Sequence, residues 1–313
     1  MTACQRQVRA VVIVSGGAAV SPFTTPDKAC AVGLDAGNTD TYLRAGLLAA
    51  GYAVFTSPAR VGAGEVTEDP GWAGFSECPI VLPAEMTVNA VGDIDEAGRS
   101  LARFITYVHD EFGITEFDLV AHSMGGLFSR AAIRALTDSG SSARVRTLTT
   151  VGTPWQGGFA ADYAAGDVPL ADCNGDPNCE RSMKEFSRLV AESSEGAGEQ
   201  VTARYLMGPD GWNERERGAL DEIPVTLIGG DYFSGPGASG VWPNDGLVAL
   251  SSALAADIGA GVVSETTSLT FPDVHSIYFC HLLGLPWERA LTWDADVLSA
   301  VIDSIERPQC ADG

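Results

Sequence analysis

FDLVAHSMGGLFSRAAIRAL, residues 117–136, sets one serine between an apolar run and a run with helical spacing, with small residues around the junction. The first seven residues read as a buried strand and GGLFSRAAIRAL as a helix, so Ser123 falls on the turn between them. A strand-to-helix turn this tight pushes its central hydroxyl out above the sheet and demands small residues two before and two after. Ala121 and Gly125 meet that demand in an A-x-S-x-G form of a pattern usually built with two glycines. A helix-capping serine needs no such neighbours on both sides.

The same alternation extends outward. VRAVVIVSGG (8–17) reads as a central strand, TYLRAGLLAAGY as a helix and AVFTSP as a strand. VGDIDEAGRSLARFITYVHDEFG carries Ile94, Ala97, Leu101, Phe104, Ile105 and Val108 at helical spacing and closes on Gly113. VRTLTTVGTP, IPVTLIGGDYF and SETTSLTF add strands, and DADVLSAVIDSIE adds a last helix. Strands alternating with helices imply an α/β fold: a mostly parallel central sheet with helices on both faces. Residues of about 155–222 break the rhythm. They are acidic and glycine-rich, with one clear amphipathic helix in SMKEFSRLVAE, and read as a cap or lid insertion in a single domain spanning 1–313.

Composition narrows the partners. Nineteen Lys+Arg against 41 Asp+Glu leave a formal charge of -22, the wrong sign for a nucleic-acid or anionic-membrane surface. No run reaches the 18 or so apolar residues of a transmembrane helix. The apolar core Ala10–Val14 is too short for a secretory signal, which suggests mature protein with any leader removed. Seven cysteines (Cys4, Cys30, Cys78, Cys173, Cys179, Cys280, Cys310) contain no C-x-x-C pair. CNGDPNC (173–179) reads as a disulfide-closed loop and Cys280 as a partner for Cys310, usage that favours an oxidising, extracellular location. Asp172, Asn174, Asp176 and Asn178 alternate as oxygen ligands that a calcium ion could use, but the glycine is misplaced for an EF-hand loop.

A serine nucleophile needs a base oriented by an acid, in the chain order Ser, acid, His on this kind of sheet. Of four histidines, His109 lies on the covering helix with solvated surface as its expected state, and His122 is locked beside the serine and pointed elsewhere. His275, in a loop just past the last strand, is the preferred base over His281 in the apolar run that follows. Asp245 in WPNDGLVAL can be held in its turn by backbone N–H groups and is preferred as the acid over Asp231 at a strand end. Oxyanion donors are expected from the Met124 amide and from the loop after the first strand, at Gly17 with Ala18 as the alternative. Met183, Phe186, Leu189 and Val190 form an apolar stripe on the insertion, either a lid or packing, and Trp155 and Phe186 are candidate pocket residues.

These stretches resemble the bacterial triacylglycerol lipases of the α/β-hydrolase fold. The resemblance rests on FDLVAHSMGG around Ser123, VGTPWQG at 151–157, NDGLV around Asp245 and VHS around His275, and covers about residues 8–160 and 223–307. It implies a secreted carboxylester hydrolase with the triad Ser123, Asp245 and His275, no required cofactor, and a small-molecule or lipid ester substrate met in transient contact with a lipid interface. Two departures stand out. Ser15-Gly16 replaces the His-Gly that often follows the first strand, and HSIYF lacks the aspartate that holds calcium near the histidine in the Pseudomonas-type enzymes. An acyltransferase or a polyester depolymerase would use the same triad. Epoxide hydrolases and dehalogenases on this fold use an aspartate nucleophile, and a non-catalytic relative would have lost a triad member.

Overall fold

In the computed structural model the chain builds one six-stranded sheet with helices on both faces. The description covers residues 9–28, 39–70, 75, 80–193, 195–237 and 240–307. The strands are β1 (Arg9–Val14), β2 (Val54–Thr56), β3 (Ala59–Arg60), β4 (Val88–Asn89), β5 (Glu116–His122), β6 (Arg144–Val151), β7 (Val225–Gly230) and β8 (Thr266–Phe271). The main sheet runs in the order β2-β1-β5-β6-β7-β8 with every pairing parallel, while β3 and β4 form a small separate pair.

Period-two alternation along β1 shows why this sheet needs two coats. Val11 and Ile13 face a cluster with Leu43, Leu47, Val297, Val301 and Ile305, from α1 (Thr39–Ala49) and α11 (Ala295–Glu306). Ala10, Val12 and Val14 face a second cluster with Leu101, Phe104, Leu127 and Phe128, from α2 (Ile94–Phe112) and α3 (Gly125–Asp138). The ends of α2 follow its sequence: the Asp93 carboxylate accepts the Glu96 amide at the start, and Gly113, at φ 67°, closes it in the left-handed region. Strand β8, on the edge, alternates exposed and half-buried side chains.

The insertion is more helical than its sequence suggests. It holds α4 (Phe159–Ala165), α5 (Pro177–Ser193), α6 (Ala197–Gln200), α7 (Ala203–Met207) and α8 (Trp212–Arg215). Short, glycine-broken helices present too few turns for a periodic signal, so only α5 was legible. A core of its own, with Phe159, Met183, Val241 and Trp242, joins it to the loop before α9 (Leu250–Ala253). A Cys173–Cys179 disulfide closes the loop ahead of α5. There Asp176 accepts the amides of Asn178 and Cys179 as a helix-start turn, and among the described residues no group of three or more His, Cys, Asp or Glu is arranged to hold a metal ion. Cys280 is buried in α10 (Ile277–Leu283), and its expected partner Cys310 lies outside the described residues. No described helix is long and apolar enough to cross a membrane.

Candidate active site

Strand order reverses between β1 and β5, and in an open parallel sheet the crevice beyond the strand ends at such a point is where ligands sit. Ser123 directly follows β5, and Gly16 and Gly17 follow β1. Ser123 has φ 53°, a left-handed conformation that costs a non-glycine residue about 1–2 kcal/mol. Its amide donates to the Val151 carbonyl at 2.8 Å, and the Thr153 hydroxyl donates to its carbonyl at 2.7 Å. The small neighbours are explained by contact. A Cβ on Gly125 would meet the Val14 carbonyl oxygen at 2.5 Å, and one on Gly16 would meet Ser123 Cβ at 2.6 Å.

The loop after β8 delivers His275, whose Nε2 lies 3.0 Å from Ser123 Oγ and whose Nδ1 lies 2.7 Å from Asp245 Oδ2. The carboxylate fixes the tautomer: Nδ1–H donates to Asp245, leaving Nε2 to accept the serine proton. The other carboxylate oxygen, Oδ1, accepts the Leu247 and Val248 amides at 2.9 and 2.8 Å, and the His275 amide donates to the Asp245 carbonyl at 2.8 Å. All three residues are buried, with Ser123 the most accessible at 8%. Sequence reasoning preferred these three residues, and the fold brings them together across 152 and 30 residues of chain. Asp231 follows β7 and gives its amide to the Phe271 carbonyl at 3.0 Å instead. His281 is exposed and accepts the Trp287 indole N–H at 3.2 Å.

The oxyanion candidates separate cleanly. The Ala18 amide is spent on the Ala90 carbonyl at 3.1 Å, whereas Gly17 and Met124 line the cavity with no acceptor for their amides among the described residues. A Cβ on Gly17 would press on the end of the Met124 side chain, at 2.9 Å from Sδ.

A cavity of about 900 Å³ opens above Ser123 and His275, walled by Ala160, Phe186, Leu189, Val190 and Val201 of the insertion and by Ile277 and Phe279 of α10. The insertion therefore forms one wall of the site. Its apolar stripe divides, with Met183 buried in the insertion's own core and Phe186, Leu189 and Val190 facing the cavity. Trp155 is not a pocket residue. It is fully buried, donating to Thr150 Oγ1 at 3.1 Å, and the Arg130 guanidinium lies over its ring at 4.3 Å and over the Trp212 ring at 4.6 Å. A tryptophan beside a catalytic strand reads as a pocket wall in sequence, but the buried cation of α3 needs two π faces more than the pocket needs one.

Two further residues, Gly152 and Thr153, were not singled out in the sequence, and His122, expected to point away from the site, has a contact there. Gly152, at φ 62°, leaves no room for a side chain: a Cβ would lie 3.0 Å from His275 Nδ1 and 3.2 Å from Asp245 Oδ2. The Thr153 hydroxyl holds the Ser123 carbonyl. His122 turns back onto the base, its Nε2–H donating to the His275 carbonyl at 3.0 Å; burial, and then the neighbouring His275, push it down to about 3 and keep it neutral. The one available signal was G-T-P closing a predicted strand, which marks a constrained backbone without saying what it touches. His109 is also less solvated than expected, with ring contacts to the Ile114 carbonyl and the Ser142 hydroxyl.

A family model described as "Putative serine esterase (DUF676)" matches residues 80–164, which include Ser123 but neither His275 nor Asp245. No curated protein matches the chain. Among solved structures, a thermostable carboxyl esterase from Bacillus coagulans is 13% identical, with 96% of this chain and 90% of that one covered at a TM-score of 0.51. The Bacillus licheniformis lipase BlEst2 in mature form is 15% identical over 85% of this chain and 83% of that one, with a TM-score of 0.46. Esterase Pf2001 from Pyrococcus furiosus is 13% identical over 97% and 84%, with a TM-score of 0.48. The fold is that of the α/β-hydrolases.

Proposed function

We propose that the chain is a serine carboxylester hydrolase, a lipase or esterase that works through an acyl-enzyme on Ser123. The observation that carries this reading is the continuous relay from Asp245 through His275 to Ser123 at the floor of an apolar cavity. His275 Nε2 takes the hydroxyl proton as Ser123 Oγ attacks the ester carbonyl. The negative charge that develops on the carbonyl oxygen is met by the Gly17 and Met124 amides, each worth on the order of 3 kcal/mol in the transition state. The proton then passes from His275 to the departing alcohol, and water, activated by the same nitrogen, releases the acid. The Asp245 carboxylate holds the ring in place and steadies the imidazolium.

The apolar walls suit an acyl chain longer than acetate, and a cavity of this size falls in the usual range for small-molecule sites. Leu189 and Tyr278 stand exposed at its rim and suit brief contact with a lipid interface. The Cys173–Cys179 disulfide supports secretion, because such bonds persist in oxidising compartments.

Hydrolysis of p-nitrophenyl esters from acetate to palmitate, by the wild type and by Ser123→Ala, tests the reading. Turnover by the wild type alone supports it, and the chain-length optimum divides esterase from lipase. Equal inactivity, with no labelling by a fluorophosphonate probe, would overturn it. Added alcohol that diverts the product to a new ester would move the assignment to an acyltransferase.

A further inference from the structure

Asp273 lies two residues before the catalytic base, on the loop that leaves β8, and is fully buried. Neither of its carboxyl oxygens receives a hydrogen bond from an N–H or hydroxyl among the described residues. The Arg289 guanidinium, in the turn Trp287–Arg289, stops 3.8 Å short with its Nη1 and gives its Nη2 to the Pro272 carbonyl. The group brought against it is instead a second acid, Asp294: Ala290 bridges to Val274, the residue next to Asp273, and its carbonyl takes the Asp294 amide at 2.9 Å, which sets the two carboxyl groups against each other. Asp294 Oδ1 already accepts the Asp296 and Val297 amides as the N-cap of α11, a place that favours the ionised form. Two carboxyl groups can bond to each other only through a proton.

We propose that Asp273 is a neutral acid whose O–H donates to the Asp294 carboxylate, a clamp that fastens the His275 loop to α11 and positions the base. The surroundings support it from each packed element. Burial, and then the charge of Asp294, push Asp273 up to about 7, with Asp231 after β7 adding to the rise and Arg289 opposing it; Cys280 on α10 faces the same group. On the backbone side, Val274 is pinned by the Arg289 carbonyl and the Leu291 amide at 2.9 Å each, so the carboxyl is the loop's tie to the last helix. Loss of the proton leaves Asp273 facing Asp294 and Asp231 with a single distant cation, and the clamp opens. That Asp273 serves catalysis rests on the hydrolase reading; that it holds a proton does not.

Asp273→Asn supplies an N–H that donates to Asp294 at every pH. The kcat/KM of the wild type for p-nitrophenyl butyrate should fall about 50-fold between pH 7 and 9, as the protonated fraction of one group drops from about a half to about 1%, while the variant's profile keeps no such limb. Thermal unfolding gives a readout independent of catalysis. The variant's Tm advantage should grow by several degrees from pH 5 to 9, where a merely structural role would shift Tm equally at all pH values. Asp294→Asn, which can donate to an ionised Asp273, should behave alike and stands in if the first variant misfolds. Parallel pH profiles and a constant Tm difference overturn the clamp. Absence of ester hydrolysis in the wild type overturns the hydrolase reading alone, and the Tm comparison still decides the clamp.

Discussion

The amide of His275 donates to the carbonyl of Asp245 at 2.8 Å while the two side chains meet at 2.7 Å, so the base and its acid are tied through backbone and side chain at once. The acid is fixed in turn by two amides of its own turn, Leu247 and Val248. Such double fixation makes the geometry insensitive to the charge on Asp245, which separates positioning from electrostatics.

Asp245→Asn should therefore fold normally and fail in the chemistry. An amide at this position can present N–H toward Nδ1 and stabilise the wrong tautomer, which in serine hydrolases costs about 10⁴ in kcat. The test is kcat and KM on a p-nitrophenyl ester beside a thermal melt. The expected outcome is kcat down by that order with KM within about threefold and Tm within a few degrees. A loss confined to KM would place Asp245 outside the relay.

Gly152→Ala tests the crowding beneath the imidazole. A left-handed alanine costs about 1–2 kcal/mol, and its methyl would press on His275 Nδ1 at 3.0 Å, in the line of the bond to Asp245. The ring must shift by a few tenths of an ångström, so kcat should fall at least tenfold, consistent with the sensitivity of catalysis to small misplacements. Gly51→Ala is a useful comparison, because Gly51 shares the positive φ but has nothing within 4 Å of its added Cβ. It should lose stability without losing kcat. Equal kcat losses in the two variants would show that strain, not contact with the relay, is responsible.

His122 gives the protein an acid-sensitive contact beside the site. Its folded value lies near 3 against an ordinary 6.5, so the unfolded chain binds a proton that the folded chain refuses. The sign follows: the stabilising effect is complete above pH 6.5 and is lost as pH falls toward 3, at up to about 1.4 kcal/mol per pH unit. His122→Gln keeps an N–H that can reach the His275 carbonyl and cannot take up a proton. Between pH 7 and 5 its Tm should fall less than that of the wild type, the difference corresponding to about 2 kcal/mol. A parallel fall in both proteins would mean that His122 titrates normally.

The legible and hidden parts of this molecule differ in how far their causes reach along the chain. The pattern of α2, with Leu101, Phe104 and Val108 on one face and Gly113 at its end, is decided within its own residues. Ser123 could be found because the steric demand of its turn falls on residues two positions away. Asp245 and His275 were reachable by chain order and elimination, since only four histidines exist. Trp155 was misplaced for the opposite reason. Its neighbours come from two distant segments, Arg130 from α3 and Trp212 and Asn213 from α8, and nothing local distinguishes a ring that faces substrate from one that covers a buried guanidinium. Gly152 and Thr153 were missed likewise, because their roles exist only once β6 lies against β5.

Phe186 offers the sharpest test of which wall receives the acyl chain. It comes from α5, packs against the insertion's core and lines the cavity, whereas Gly17, Met124 and the hydrogen-bonded Ser123, His275 and Asp245 come from the ends of the sheet strands and the loops beyond them. Removal of the ring should leave the chemistry intact and weaken only substrates long enough to touch it. Phe186→Ala is expected to lower kcat/KM for p-nitrophenyl esters of eight or more carbons by about 10–200-fold, the range for a modest apolar contact of 1–3 kcal/mol, and to leave the acetate within about twofold. Because Phe186 is half-buried, Phe186→Leu separates volume from stability: it should keep most of the long-chain activity if burial of the chain is what the ring contributes. A uniform loss across all chain lengths, in both variants, would mean that α5 supports the site without touching substrate, and the acyl chain would then have to lie along Ile277 and Phe279 of α10.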